Sequence, residues 1–129
     1  MKKILAVDDE KGIIEILRDI LEQEGYEVLV AMDGVQAMMQ VVKNKPDLVL
    51  LDIMLPAGGG FAVFDRMKQS VNTQNIPIII LTATPISKVR EKLPLEDQTP
   101  ILPKPWNTKE LLSLIRNLSG RPGPAGTNP

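Results

Sequence analysis

A few polar side chains in this 129-residue sequence stand where they could do chemistry together. Asp8 and Asp9 close the apolar run Ile4-Leu5-Ala6-Val7, and Asp52 closes Leu48-Val49-Leu50-Leu51. Thr82 closes Ile78-Ile79-Ile80-Leu81, and Lys104 follows Ile101-Leu102 after one proline. Each run reads as a buried strand. In a parallel sheet between helices, ligands bind outside the carboxyl ends of the strands, where strand order reverses. If the first and third strands are neighbours, three carboxylates converge. Like charges that close cannot all stay ionised without a counter-charge. A hard divalent cation such as Mg²⁺, which takes oxygen ligands and keeps several waters, supplies it. Lys104 adds a compact positive charge and Thr82 a hydroxyl donor. A carboxylate nucleophile, a cation, an ammonium and a hydroxyl are the parts that move a phosphoryl group onto an aspartate, a chemistry of positioning and charge neutralisation.

The absences narrow the field. The chain has no cysteine and no histidine. That excludes disulfides, thiolate nucleophiles, zinc-thiolate and Fe–S sites, imidazole bases and Ser-His-Asp triads. Fifteen Lys plus Arg stand against sixteen Asp plus Glu, and the aromatic residues are Tyr26, Phe61, Phe64 and Trp106 alone. This balance carries no electrostatic footprint for nucleic acid or an acidic membrane, and no base-stacking platform. Met1 to Val7 starts like a secretory signal, but Asp8-Asp9-Glu10 ends its apolar stretch short of the roughly 7–15 residues needed. No apolar run approaches the roughly 18–20 residues of a transmembrane helix. A cytoplasmic domain that contacts neither membrane nor nucleic acid is expected.

Helical-period segments separate the strands. Ile13, Ile14, Ile16, Leu17, Ile20 and Leu21 recur at helical spacing before Gly25, where a helix would end. Tyr26–Ala31 alternates as a second strand. Asp33 can cap a helix with Ala37, Met38, Val41 and Val42 inward, broken by Pro46. Phe61, Val63, Phe64 and Met67 predict a third helix. Thr84-Pro85 fits a cap followed by proline at the first helical position, opening a short helix with Ile86, Val89 and Leu93 that Pro94 stops. Asn107 and Glu110 form a capping-box pair for a last helix with Leu111, Leu112, Leu114, Ile115 and Leu118 inward. Five strand–helix alternations with all-apolar strands imply a parallel sheet covered on both faces. Residues 1–120 read as one domain, and 121–129, rich in Pro and Gly, as a disordered tail or linker stub.

Taken singly, the polar residues have bland readings. An aspartate after a strand is more often a cap or turn residue, and Lys104-Pro105 alone is an ordinary turn. Their joint fall at the ends of different strands favours a site. Gly58-Gly59-Gly60 lacks both the G-x-G-x-x-G spacing and a P-loop lysine, so it reads as a flexible turn. Met38-Met39 reads as helix packing with one residue inward.

Together, Asp8-Asp9, Asp52-Ile53-Met54-Leu55-Pro56 with Gly60, Leu81-Thr82-Ala83 and Lys104-Pro105 resemble the receiver domain of bacterial response regulators, over about residues 2 to 119. The resemblance implies a flavodoxin-like, doubly wound (βα)5 fold with strand order 2-1-3-4-5. It implies phosphorylation of Asp52 by a sensor histidine kinase or phosphotransfer protein, and regulation of an output partner. It further implies Mg²⁺, or Mn²⁺ in its place, held by Asp9, Asp52 and the backbone carbonyl of Met54, with Asp8 in the outer shell. Lys104 would pair with the phosphoryl group, Thr82 would be the switch hydroxyl, and the Lys104–Pro105 peptide would be cis. A phosphorylation-dependent homodimer is a further implication. A chain without histidine cannot carry the phosphohistidine donor, which must come from another molecule or region.

Some positions depart from the family pattern. Ile101 replaces the aromatic residue often found three positions before the lysine, Trp106 reads as an anchor for the last helix, and Pro94 to Pro100 replaces a small-residue turn. Met54 and Thr84 occupy positions that tune phosphoryl lifetime, and neither is a strong water-positioning group, so a long-lived phosphoryl state is expected. The alternatives are a pseudo-receiver, which the intact Asp9, Asp52, Thr82 and Lys104 oppose, and an aspartate-nucleophile phosphohydrolase. The latter needs a second aspartate two residues after the nucleophile, where Met54 stands. The expected protein is a signalling switch rather than a turnover enzyme.

Overall fold

The computed structural model describes residues 2–120; the tail expected at 121–129 lies outside them. Five strands, Lys3–Val7 (β1), Glu27–Ala31 (β2), Leu48–Asp52 (β3), Ile78–Thr82 (β4) and Ile101–Pro103 (β5), form one parallel sheet in the order β2-β1-β3-β4-β5. Five helices accompany them: Lys11–Gln23 (α1), Gly34–Asn44 (α2), Gly59–Gln69 (α3), Ile86–Glu91 (α4) and Thr108–Ser119 (α5). This is the flavodoxin-like doubly wound fold.

The period-2 alternation of a strand distributes the apolar side chains to two cores. Ile4, Ala6, Leu48, Leu50, Ile79, Leu81 and Leu102 join Ile14, Leu17 and Leu21 of α1 and Leu111 and Ile115 of α5. Leu5, Val7, Val49, Leu51, Ile78, Ile80 and Ile101 meet α2, α3 and α4 on the other face. Both faces are covered, which is why the strands read as continuous apolar runs. Tyr26 lies just before β2 but is buried in the α1/α5 core.

Side-chain caps start two of the five helices, and a glycine follows the end of a third. The Asp33 carboxylate accepts the Gln36 N–H at 2.8 Å and starts α2. Asn107 Oδ1 accepts the Glu110 N–H at 2.9 Å and starts α5. Gly25 follows α1 with φ 93°, where an L side chain would be strained.

Three expectations are corrected. Thr84 does not cap α4. Pro85 occupies that position, and the Thr84 hydroxyl turns back to Thr82. Val42 and Leu118 are not inward: they are 63% and 40% exposed, whereas Ala37 and Val41 of α2 and Leu111 and Ile115 of α5 are buried. Each helical step rotates by about 100°, so the residue beside a buried one already leaves the buried stripe. The glycine run is not simply a flexible turn. Gly58 adopts φ 72°, but Gly59 and Gly60 form the first turn of α3.

Candidate functional site

The reversal of strand order around β1 puts β1 beside β3, with Val7 paired to Leu51. The next residues, Asp8 and Asp52, therefore face each other across adjacent strand ends. Asp8 continues the alternation of Ile4 and Ala6, and Asp52 that of Leu48 and Leu50, so both incline to the α1/α5 side. One carboxylate oxygen from each of Asp8, Asp9 and Asp52 lies within 4.8 Å of the others. Asp8 is fully buried and Asp52 is 3% exposed, while Asp9 faces solvent.

Lys104 comes from the far side of the sheet. Its N–H donates to the Thr82 carbonyl at 2.8 Å, which anchors it at the end of β4, and the Lys104–Pro105 peptide is cis. Its side chain reaches back toward the acids. Nζ donates to Asp8 Oδ2 at 2.6 Å and stands 3.4 Å from Asp52 Oδ2. The opposite oxygens are held by backbone: Asp8 Oδ1 accepts the Glu10 N–H at 2.9 Å, and Asp52 Oδ1 accepts the Met54 N–H at 3.0 Å.

These contacts set the electrostatics. Burial pushes the Asp52 carboxyl above its ordinary range; the Met54 N–H and Lys104 oppose the shift, and the Asp8 charge adds to it. Burial alone would lower the Lys104 ammonium, but its hydrogen bond to Asp8 and the charges of Asp52 and Asp8 outweigh that and hold it above its ordinary value. One ammonium among three carboxylates leaves an excess of negative charge, compressed into a space the size of one ion. This all-oxygen donor set fits a hard divalent cation.

Thr82 is buried at the end of β4, but its hydroxyl engages Thr84 rather than Asp52. The loop after β3 is pinned twice: the Ile53 N–H donates to the Leu81 carbonyl at 3.1 Å, and α3 packs directly on Ile53. A Cβ on Gly60 would stand 2.2 Å from the Ile53 carbonyl oxygen, so only glycine fits without displacement. The Met54 side chain, half-exposed, carries no proton to give a leaving group. An apolar groove opens beside Lys104, lined by Ile13, Ile16 and Ile20 of α1 with Pro105 and Trp106.

The structure thus brings Asp8, Asp9, Asp52 and Lys104 into one cluster, with the Met54 N–H on Asp52 and Thr82 at the end of the adjacent strand. Sequence reasoning missed the Thr84 contact, the close approach at Gly60 and the groove. The groove had a signal: Ile13, Ile16 and Ile20 recur at helical spacing as a second stripe beside the buried one.

Comparison with known proteins finds relatives over most of the chain. The family model described as "Response regulator receiver domain" matches residues 4–116. The transcriptional regulatory protein CpxR of Klebsiella pneumoniae is 40% identical over 122 residues, covering 94% of this chain and 50% of CpxR. The DNA-binding dual master transcriptional regulator RpaA of Synechocystis is 35% identical over 123 residues, with the same two coverages of 94% and 50%. The chain therefore spans about half the length of these relatives. The chemotaxis response regulator CheY4 of Vibrio cholerae superposes with a TM-score of 0.81 at 29% identity, covering 92% of this chain and 98% of CheY4. The receiver domain of the sensor histidine kinase PA1611 from Pseudomonas aeruginosa, solved with magnesium in its active-site cleft, gives 0.82 at 28% identity with the same coverages of 92% and 98%.

Proposed function

This chain belongs to the response regulator receiver domain family, and from that premise we propose that Asp52 accepts a phosphoryl group from a phosphohistidine donor. The observation that carries the reading is the Asp52 carboxylate itself. It is buried at a strand end, held at one oxygen by the Met54 N–H and faced at the other by Lys104.

The fixed carboxylate is aimed before the donor arrives, so little orientational entropy remains to be lost. Asp52 attacks phosphorus in line. The new O–P bond forms as the P–N bond to the donor imidazole breaks, and the departing nitrogen keeps the electron pair. Lys104 offers its ammonium to the transferring oxygens. Asp9, Asp52 and the Met54 carbonyl would hold Mg²⁺, with Asp8 behind them, and the cation would supply neutralisation of the phosphoryl charge. The groove along α1, beside Trp106, suits an apolar helical surface on the donor protein.

Phosphorylated Asp52 carries about −2 of charge and strong acceptor oxygens. Thr82 and Lys104 make better contacts to these than to a bare carboxylate, which shifts a two-state equilibrium toward an output-competent form. The Met54 thioether and the Thr84 hydroxyl are neither of them strong water-positioning groups, so the phosphoryl state outlives a few seconds. The domain acts in the cytoplasm as a switch, and its output lies with a partner or further domain.

The test is intact mass after treatment with a small acyl phosphate and Mg²⁺. One phosphoryl is expected on the parent chain and none on Asp52→Asn. No mass change at millimolar Mg²⁺ sinks the reading, turnover of small phosphate esters favours a phosphohydrolase instead, and decay within seconds refutes the long lifetime.

A further inference from the structure

The hydroxyl of Thr82 is not free. It has one proton and two lone pairs to place, and all its hydrogen bonds go to one residue. The Thr84 N–H donates to Thr82 Oγ1 at 3.0 Å, the two hydroxyls share a hydrogen bond at 2.7 Å, and the Thr84 carbonyl lies at 3.3 Å. Among the described residues no hydrogen bond joins Thr82 to Asp52, although the two close adjacent strands. The separation of 2.7 Å is that of a well-formed O–H···O bond. Helix capping does not explain it, since no side chain caps α4.

We infer that Thr84 is a positioning residue, a hydroxyl latch that holds the Thr82 hydroxyl away from Asp52 until a phosphoryl oxygen competes for it. The inference rests on the phosphoacceptor reading of Asp52. A phosphoryl oxygen only accepts hydrogen bonds, so Thr82 must present its proton to it. In the latched state that proton goes to the Thr84 hydroxyl or carbonyl. Turning Thr82 toward Asp52 therefore breaks contacts that the resting state makes, and Thr84 sets how far the equilibrium favours rest. The latch also lies on the path to α4, which starts at Ile86 two residues later, so releasing Thr82 frees the 83–85 linker. The net worth of one neutral hydrogen bond corresponds to a population bias of roughly five-fold.

Thr84→Val keeps the branched shape and removes the hydroxyl, while Thr84→Ser keeps the hydroxyl. The full chain is titrated with beryllium fluoride at millimolar Mg²⁺, and bound fluoride is counted by fluorine NMR. Thr84→Val is expected to bind roughly five-fold more tightly than the parent, Thr84→Ala to move in the same direction, and Thr84→Ser to stay near the parent. In a Thr82→Ala background the Thr84→Val effect should vanish, which a merely structural role for Thr84 would not produce. Equal or weaker binding by Thr84→Val and Thr84→Ala overturns the latch. So does Thr84→Ser behaving like valine, or a valine effect that survives without Thr82. A parent chain that binds no beryllium fluoride overturns the reading of Asp52, and the latch with it.

Discussion

Replacing Gly60 with alanine sets two effects of opposite sign against each other. Gly60 lies in the first turn of α3, where alanine is the better helix former by about 1 kcal/mol. The added Cβ, however, would sit 2.2 Å from the Ile53 carbonyl oxygen, 2.5 Å from its carbon and 2.6 Å from its Cα. Ordinary contact begins near 3.4 Å, so α3 and the β3–α3 loop must separate by about 1 Å. The obstacle is backbone and has no rotamer to change. Overpacking of this kind costs typically 1–3 kcal/mol and more where backbone must move, so the clash outweighs the propensity. A net loss of about 1–2 kcal/mol or more lowers Tm by roughly 5–10 °C for a domain of this size. Ile53 stands between Asp52 and Met54, so the same displacement loosens the acidic pocket and weakens Mg²⁺ binding several-fold. Gly12→Ala in α1 is the control. Nothing lies within 4 Å of a Cβ there, and a gain of about 0.5–1 kcal/mol is expected. The assay is thermal unfolding by circular dichroism of both variants, with a Mg²⁺ titration read by Trp106 emission. A Gly60→Ala chain as stable as the parent, with unaltered Mg²⁺ affinity, refutes the argument.

Three further outcomes are expected. Burial raises the Asp52 pKa, so its contribution to stability is present below the unfolded value near 3.8 and is lost as pH rises through the higher folded value; in chelator, Asp52→Asn should therefore raise Tm at pH 7 and lose that advantage toward pH 4, and a gain that persists in acid contradicts the assignment. Lys104→Met removes the ammonium partner of a fully buried Asp8, costing about 3 kcal/mol without metal. Millimolar Mg²⁺ should recover much of that loss in a thermal shift assay, and an undiminished gap argues against a cation among the acids. Lys45 ends α2 with φ 45°, in the left-handed region, so Lys45→Gly should stabilise by up to about 1 kcal/mol in urea unfolding, and a loss of stability would show that the strain lies elsewhere.

The helices show where sequence patterns stop being informative. Spacing located the centre of each buried stripe at Val41 in α2 and Ile115 in α5, but it placed Val42 and Leu118 inward, and they are exposed. Stripe width depends on how closely the neighbouring elements approach, which no helix encodes alone. Thr84-Pro85 has the local signature of a helix start, yet the hydroxyl found a better partner in Thr82. Gly60 carries no local pattern that separates it from Gly58, because its constraint is Ile53 seven positions earlier, folded back against it.

What the sequence by itself determined was the inventory and its placement at strand ends. Strands buried on both faces must be apolar throughout, so the first polar residue after each run marks where the backbone leaves the core: Asp8, Asp52, Thr82, and Lys104 after Pro103. The period of two also assigns Asp8 and Asp52 to the same side of the sheet. Tertiary structure alone decided which of these residues meet. The order β2-β1-β3-β4-β5 sets Asp8 against Asp52 and leaves β5 two strands from β3, so that only a side chain as long as lysine spans the gap. Strand order is a property of the crossovers and of how the helices pack between strands, and no strand carries it in its own pattern.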